Sequence, residues 1–174
     1  MIKHIDNKKD SLESLFGNYS KLPIQHENEW EIISNFGPFC VCTNCARYVV
    51  QKVGGIVVGF GEGTNPTSHK EFVDGHDFAL VEGRYLVDIW GKFFAGTSNN
   101  AVIDLENKIE LKNKLTLYGE IKTWTVLDKP VKTMESRFDF GVEKWVYFDP
   151  KKHFHENVLK NLEIISVISH DFIR

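Results

Sequence analysis

Hydrophobic and polar positions follow a helical period early in the chain and a strand period later. Residues 42–53 read CTNCARYVVQKV, in which Cys42, Cys45, Ala46, Val49 and Val53 recur at spacings of three and four. One apolar face at that period predicts an amphipathic helix, and Gly54 and Gly55 supply its stop. Upstream, Asp10 or Ser11 is placed to cap a short helix through Leu15 and Phe16, ended by Gly17. Pro23 and the polar run over residues 25–31 read as loop, a short apolar stretch follows at residues 30–36, and Gly37 and Pro38 punctuate the chain. Residues 1–35 are therefore expected as an N-terminal extension wrapping the core of one domain spanning 1–174.

Downstream the signals shorten. IVVGFGEG predicts a strand released by glycines, and TNPTSHKEFV a polar loop. HDFALV, a turn around Glu82 and Gly83, and YLVDIW predict a hairpin, because Phe, Val, Leu, Ile and Tyr pack well on a pleated surface. AVIDLEN, KLTLYGEI, TWTVL and VEKWVYFD are further strand-sized segments, with Pro130 and Pro150 as breaks, and residues 155–162 predict a short helix leading into IISVIS. Helices early and strands later, without regular alternation of the two, predict an α+β fold with a helix packed on an antiparallel sheet.

Composition narrows the class. Hydrophobic residues at 42%, aromatics at 13% and charged residues at 26% belong to a folded protein rather than a disordered one. A net charge of −3 gives no reason to expect nucleic acid or an acidic membrane as partner. No run approaches the roughly 20 apolar residues of a membrane span, and the first residues lack the apolar core of a signal peptide. A cytoplasmic location, or export without such a peptide, is the expectation. Cysteine usage agrees: the three, Cys40, Cys42 and Cys45, are crowded into one segment with no distant partner, which argues for a reduced thiol rather than a disulfide scaffold.

A cysteine opening a helix meets unpaired N–H groups and the positive end of the dipole, and both favour thiolate. His76 starts one arm of the hairpin and Asp88 lies near the end of the other. A carboxylate can hold one ring nitrogen while the other faces the nucleophile, which makes Cys42, His76 and Asp88 a candidate triad. Register decides the matter. If Val81 pairs with Arg84 across a two-residue turn, His76 and Asp88 fall on opposite faces; if Val81 pairs with Tyr85, through a three-residue connection or a bulge, they share one.

The stretches GPFCVCTNCARYVVQKVGG and GHDFALVEGRYLVDIW resemble the papain-like fold superfamily, most closely the small papain-fold domains of bacterial toxins and effectors and relatives of transglutaminase or NlpC/P60 type. The resemblance covers roughly residues 37–91. It implies Cys42 as nucleophile, Cys45 and Ala46 as buried helix residues, Gly54 as the stop, His76 as base and Asp88 as orienter. Laid over the papain string itself, CTNCARY would make Cys45 the nucleophile instead, but Ala46 stands where an aromatic is expected. The oxyanion side chain has no clear counterpart; Gln25 could serve only if the chain folds back, and Trp90 is a pocket or lid candidate. The implied activity is thiol-dependent hydrolysis or transfer at an amide, as a deamidase, an amidase or a thiol protease, with a protein or small-molecule amide as partner and no cofactor or metal.

Two other chemistries compete. Cys40, Cys42 and Cys45 with His69 or His76 have a composition that suits zinc. A non-enzymatic module is the third, with Trp124 and Trp145 forming an exposed recognition surface. Gly59, Gly61 and Gly63 resemble a phosphate loop only superficially, since the lysine and hydroxyl of that loop are missing. Lys108, Lys112 and Lys114 read as a solvated face, and His153 and His155 as surface residues.

Overall fold

Antiparallel pairing around one long hairpin organises the chain. The computed structural model describes residues 7–22, 41–127 and 145–171. Helix α1 (Asn7–Phe16) is followed by α2 (Val41–Val53), β1 (Ile56–Gly61), β2 (Gly75–Val81), β3 (Tyr85–Val87), α3 (Ile89–Phe93) and β4 (Val102–Asp104). Helix α4 (Lys108–Tyr118), β5 (Thr125–Leu127), β6 (Trp145–Tyr147), α5 (Pro150–His153) and α6 (Glu156–Asp171) complete the order. The strands form one sheet in the order β4-β3-β2-β1-β5-β6, and every neighbouring pair is antiparallel. The architecture is mixed α+β, with N-terminal helices against a multi-stranded antiparallel sheet. Among the described residues no helix is long and apolar enough to cross a membrane.

Each face of the sheet carries its own core. Ala79, Val81, Tyr85 and Val87 pack with Leu12 and Phe16 of α1 and with Cys45 and Val49 of α2. Phe78, Leu80 and Leu86 turn the other way, toward Leu111 and Tyr118 of α4, Trp124, Phe148 and Val158 of α6. Alternation along β2 thus divides two helical layers. Trp90 packs against both sets, so it marks the end of the sheet where the layers meet.

Helix α2 ends where its glycine permits: Gly54 has φ +81° and its N–H reaches the Val50 carbonyl at 2.9 Å. The hairpin turn has Glu82 and Gly83 at φ 54° and 64°, closed by the Arg84 N–H on the Val81 carbonyl at 3.1 Å. Arg84 then stands as an extra residue, and Val81 pairs with Tyr85. The connection that puts Asp88 on the face of His76 is the one the chain adopts.

Several local expectations change. The segment KLTLYGEI is not a strand; it lies largely in α4, which starts upstream because the Asn107 side chain accepts from the N–H groups of Ile109 and Glu110. Leu111 and Tyr118, buried seven residues apart, then share one helical face. The end of YLVDIW also leaves the sheet, since Asp88 caps α3 through the Gly91 N–H at 2.7 Å. Helix α1 begins earlier than Asp10 or Ser11 and its Leu12 and Phe16 belong to the core, and the last helix runs through IISVIS to Asp171. Trp124 is buried, not an exposed recognition residue, and donates its indole N–H to the Tyr118 carbonyl at 3.0 Å. Residues 30–36, Gly37, Pro38 and Pro130 lie outside the described residues.

Candidate active site

At the sheet end, a cavity of about 510 Å³ is lined by Cys42, His76, Asp77 and Trp90, among others. Cys42 occupies the first turn of α2, whose leading N–H groups have no partners inside the helix. It is 8% exposed and faces this cavity. Cys45, one turn further on, is not part of the wall. Its side chain packs with Val49 and Ala79, and burial, then Cys42 and Asp88, push its thiol well up. Neither of the two cysteines described is in a disulfide, and Cys42 is the one that lines the cavity.

His76 is buried on β2, its ring stacked on Phe72 with centroids 3.9 Å apart and planes 5° from parallel. Trp90 lies 5.3 Å from the same ring. Nε2 meets Asp88 Oδ2 at 2.8 Å, and the Cys42 thiol is near enough to favour the protonated ring. The other ring nitrogen, Nδ1, is buried and has no hydrogen-bond partner among the described residues. Burial alone would lower the affinity of the ring for a proton; the charge of Asp88 and its hydrogen bond, with help from Cys42, outweigh that and push His76 up to about 10.

Asp88 is held from three directions. Oδ2 accepts from His76 and from the Tyr118 hydroxyl at 2.8 Å, while Oδ1 accepts the Gly91 N–H at 2.7 Å. Burial pushes this carboxyl up, but the His76 charge and these hydrogen bonds hold it below the usual range. Both shifts favour the ionised forms of this buried pair, and both carboxylate oxygens accept hydrogen bonds. Tyr118 was not legible in the sequence as a site residue, because it comes from α4, in a segment whose last residues alternate like a strand.

A second, half-buried carboxylate, Asp77, also escaped the sequence. It follows His76 directly, so it turns to the opposite face, where the Thr43 hydroxyl donates to it. Burial pushes the Asp77 carboxyl up, and Thr43, His76 and the buried Arg47 pull it partly back. Gly59, paired with Asp77 across β1 and β2, leaves room for it; a Cβ there would lie 1.9 Å from Asp77 Oδ1. This contact ties the first turn of α2 to β2 beside Cys42. The repeated adjacency Cys42-Thr43 and His76-Asp77 is the only sequence signal that could have found it.

The remaining candidates separate. Trp90 lines the cavity and also shields the His76 ring; Gln25 and Cys40 lie outside the described residues. Among the described residues, no three His, Cys, Asp or Glu side chains gather as a ligand set for a metal. His69 caps a short turn through Nδ1 and the Glu71 N–H at 3.2 Å. Trp145 is half-buried on the cavity wall. His155 is exposed and pairs with Glu106, and Lys108 and Lys112 are exposed on α4. The chain has no significant match to any protein-family model, curated protein or solved structure.

Proposed function

We propose that this protein is a cysteine-dependent hydrolase or transferase that acts on an amide bond, with Cys42 as nucleophile, His76 as base and Asp88 as the residue that orients and charges the ring. The observation that carries the reading is the His76 ring, fixed at 2.8 Å by Asp88 on one nitrogen and interacting with the thiol of a helix-opening cysteine at a cavity. A papain-like relationship fits the same order of parts: a cysteine opening a helix, then His on one strand and Asp just past the end of the next.

The chemistry follows from the charges. An imidazole whose proton affinity is pushed up to about 10 favours a thiolate–imidazolium pair, the ring holding the proton that Cys42, near 8.5 as a free thiol, has given up. The thiolate attacks the amide carbonyl, forming a C–S bond, and the N–H groups opening α2 face the oxyanion. Collapse breaks the C–N bond and the imidazolium gives its proton to the leaving amine. Water, or an acceptor amine in a transferase, then attacks the thioester with His76 again taking the proton, and the thiol is restored.

A cavity of about 510 Å³ suits a side chain or a small molecule better than an extended backbone, which favours side-chain or small-molecule amides over general proteolysis. The cytoplasm, or a cell reached by export, would keep the thiol reduced. Cys42 should react with iodoacetamide faster than Cys40 and Cys45, and the reaction should persist below the free-thiol value of about 8.5. Equal, slow labelling of all three would overturn the reading. One zinc per chain, released together with three newly reactive thiols, would replace it with a metal site. Incubating wild type and Cys42→Ala with lysate proteins, and reading masses, distinguishes glutamine deamidation from backbone cleavage.

A further inference from the structure

We infer that the cavity selects amides bearing a cationic group, an ammonium or guanidinium, beside the bond that Cys42 attacks. The inference rests on the proposed amide chemistry and adds the substrate class to it. Beyond Cys42 and His76, the wall contains Glu71 and Asp74, the aromatic residues Phe60, Trp90 and Trp145 and, among the described residues, no lysine or arginine. Glu71 and Asp74 are exposed at the mouth, where water leaves them accessible to a ligand. Lys70 approaches Glu71 only to 4.0 Å, and both side chains are solvated. Trp faces attract cations through the ring quadrupole, so carboxylates at the mouth and indoles on the wall favour the same ligand charge. An independent sign of a ligand is His76 Nδ1, which belongs to a residue 2% exposed, lines the cavity and has no partner in full hydrogen-bond geometry.

Charge complementarity of this kind discriminates a cation from its neutral isostere more than it adds affinity. Nα-acetyl-arginine amide and Nα-acetyl-citrulline amide differ in that charge and little else, which makes them the matched probes. Each is titrated into the full chain carrying Cys42→Ser, following the indole N–H resonances of Trp90 and Trp145. The arginine amide should bind about fivefold or more tightly than the citrulline amide, and added salt should shrink the difference. Glu71→Gln with Asp74→Asn, two exposed substitutions, should bring the two affinities together. Equal affinities, no binding by either probe, or selectivity that survives the double substitution would overturn the inference. Because these titrations need no thiol, their failure is distinct from a failure of Cys42 to alkylate, which would instead remove the catalytic reading.

Discussion

Asp88 accepts three hydrogen bonds in a buried setting, from His76, Tyr118 and Gly91, and so controls the proton on the ring. The linkage to pH has a definite sign. With its folded value raised to about 10 from an ordinary value near 6.5, His76 contributes stability that is complete below about pH 6.5 and lost as pH rises through 10. Asp88, held low, contributes stability above its ordinary value near 3.9 that is lost as pH falls. Asp88→Asn should bring the His76 titration, read from the ring protons by NMR, down from about 10 toward or below 6.5 and flatten the alkaline loss of stability. Removing one member of a buried pair should also cost about 3–5 kcal/mol in denaturant unfolding. Tyr118→Phe should cost less, about 1–3 kcal/mol. An unchanged ring titration in Asp88→Asn would refute the role given to that carboxylate.

Helix α2 and the β1–β2 pair meet through the contact of Thr43 with Asp77, and Gly59 makes the space for it. A Cβ at Gly59 would also lie 2.7 Å from the His76 carbonyl, so backbone as well as the Asp77 side chain must move. Gly59→Ala should cost about 1–3 kcal/mol and slow alkylation of Cys42, because the first turn of α2 loses its anchor. Gly61→Ala is the comparison: its Cβ meets only Thr64 Cγ2 at 3.8 Å, and its stability should be unchanged. Equal stability of the two variants in urea would show that the Asp77 contact carries no strain. The hairpin was legible as two strands, and its two alternative registers were too. Only the φ values at Glu82 and Gly83, with Arg84 left over, select between them.

Distant parts of the chain are joined at Glu13, on α1. Its carboxylate accepts the N–H groups of Ala101 and Val102 at 3.1 and 2.8 Å and pairs with Lys92 at 2.8 Å. Lys92 also donates to the Gly17 carbonyl at 2.8 Å. One side chain thus holds α1, the start of β4 and α3, the helix that Asp88 caps. Glu13→Ala would leave two backbone donors and a half-buried ammonium short of an acceptor, and should lower stability by about 2–3 kcal/mol. Its effect on the His76 titration should be small, since Tyr118 and Gly91 still hold Asp88. Unchanged urea unfolding would show that α1 contributes only its apolar face.

The period of three and four with a glycine stop determined α2 and placed Cys42 in its first turn, because helix geometry is local and repeats within a few residues. The strand-sized runs around His76 and Asp88 determined a hairpin, and the counting of its registers made their shared face conditional on one residue. KLTLYGEI misled for the same reason that α2 was clear: its first four residues alternate, and the Asn107 cap that starts the helix lies upstream of them. Tertiary structure alone decided that Tyr118 reaches Asp88, that Asp77 meets Thr43, that Trp124 is buried and that Cys42 rather than Cys45 opens to a cavity. Each of these depends on residues far apart in sequence meeting across the sheet, and hydrophobic periodicity specifies which face of an element is buried but not which side chain waits on the other side.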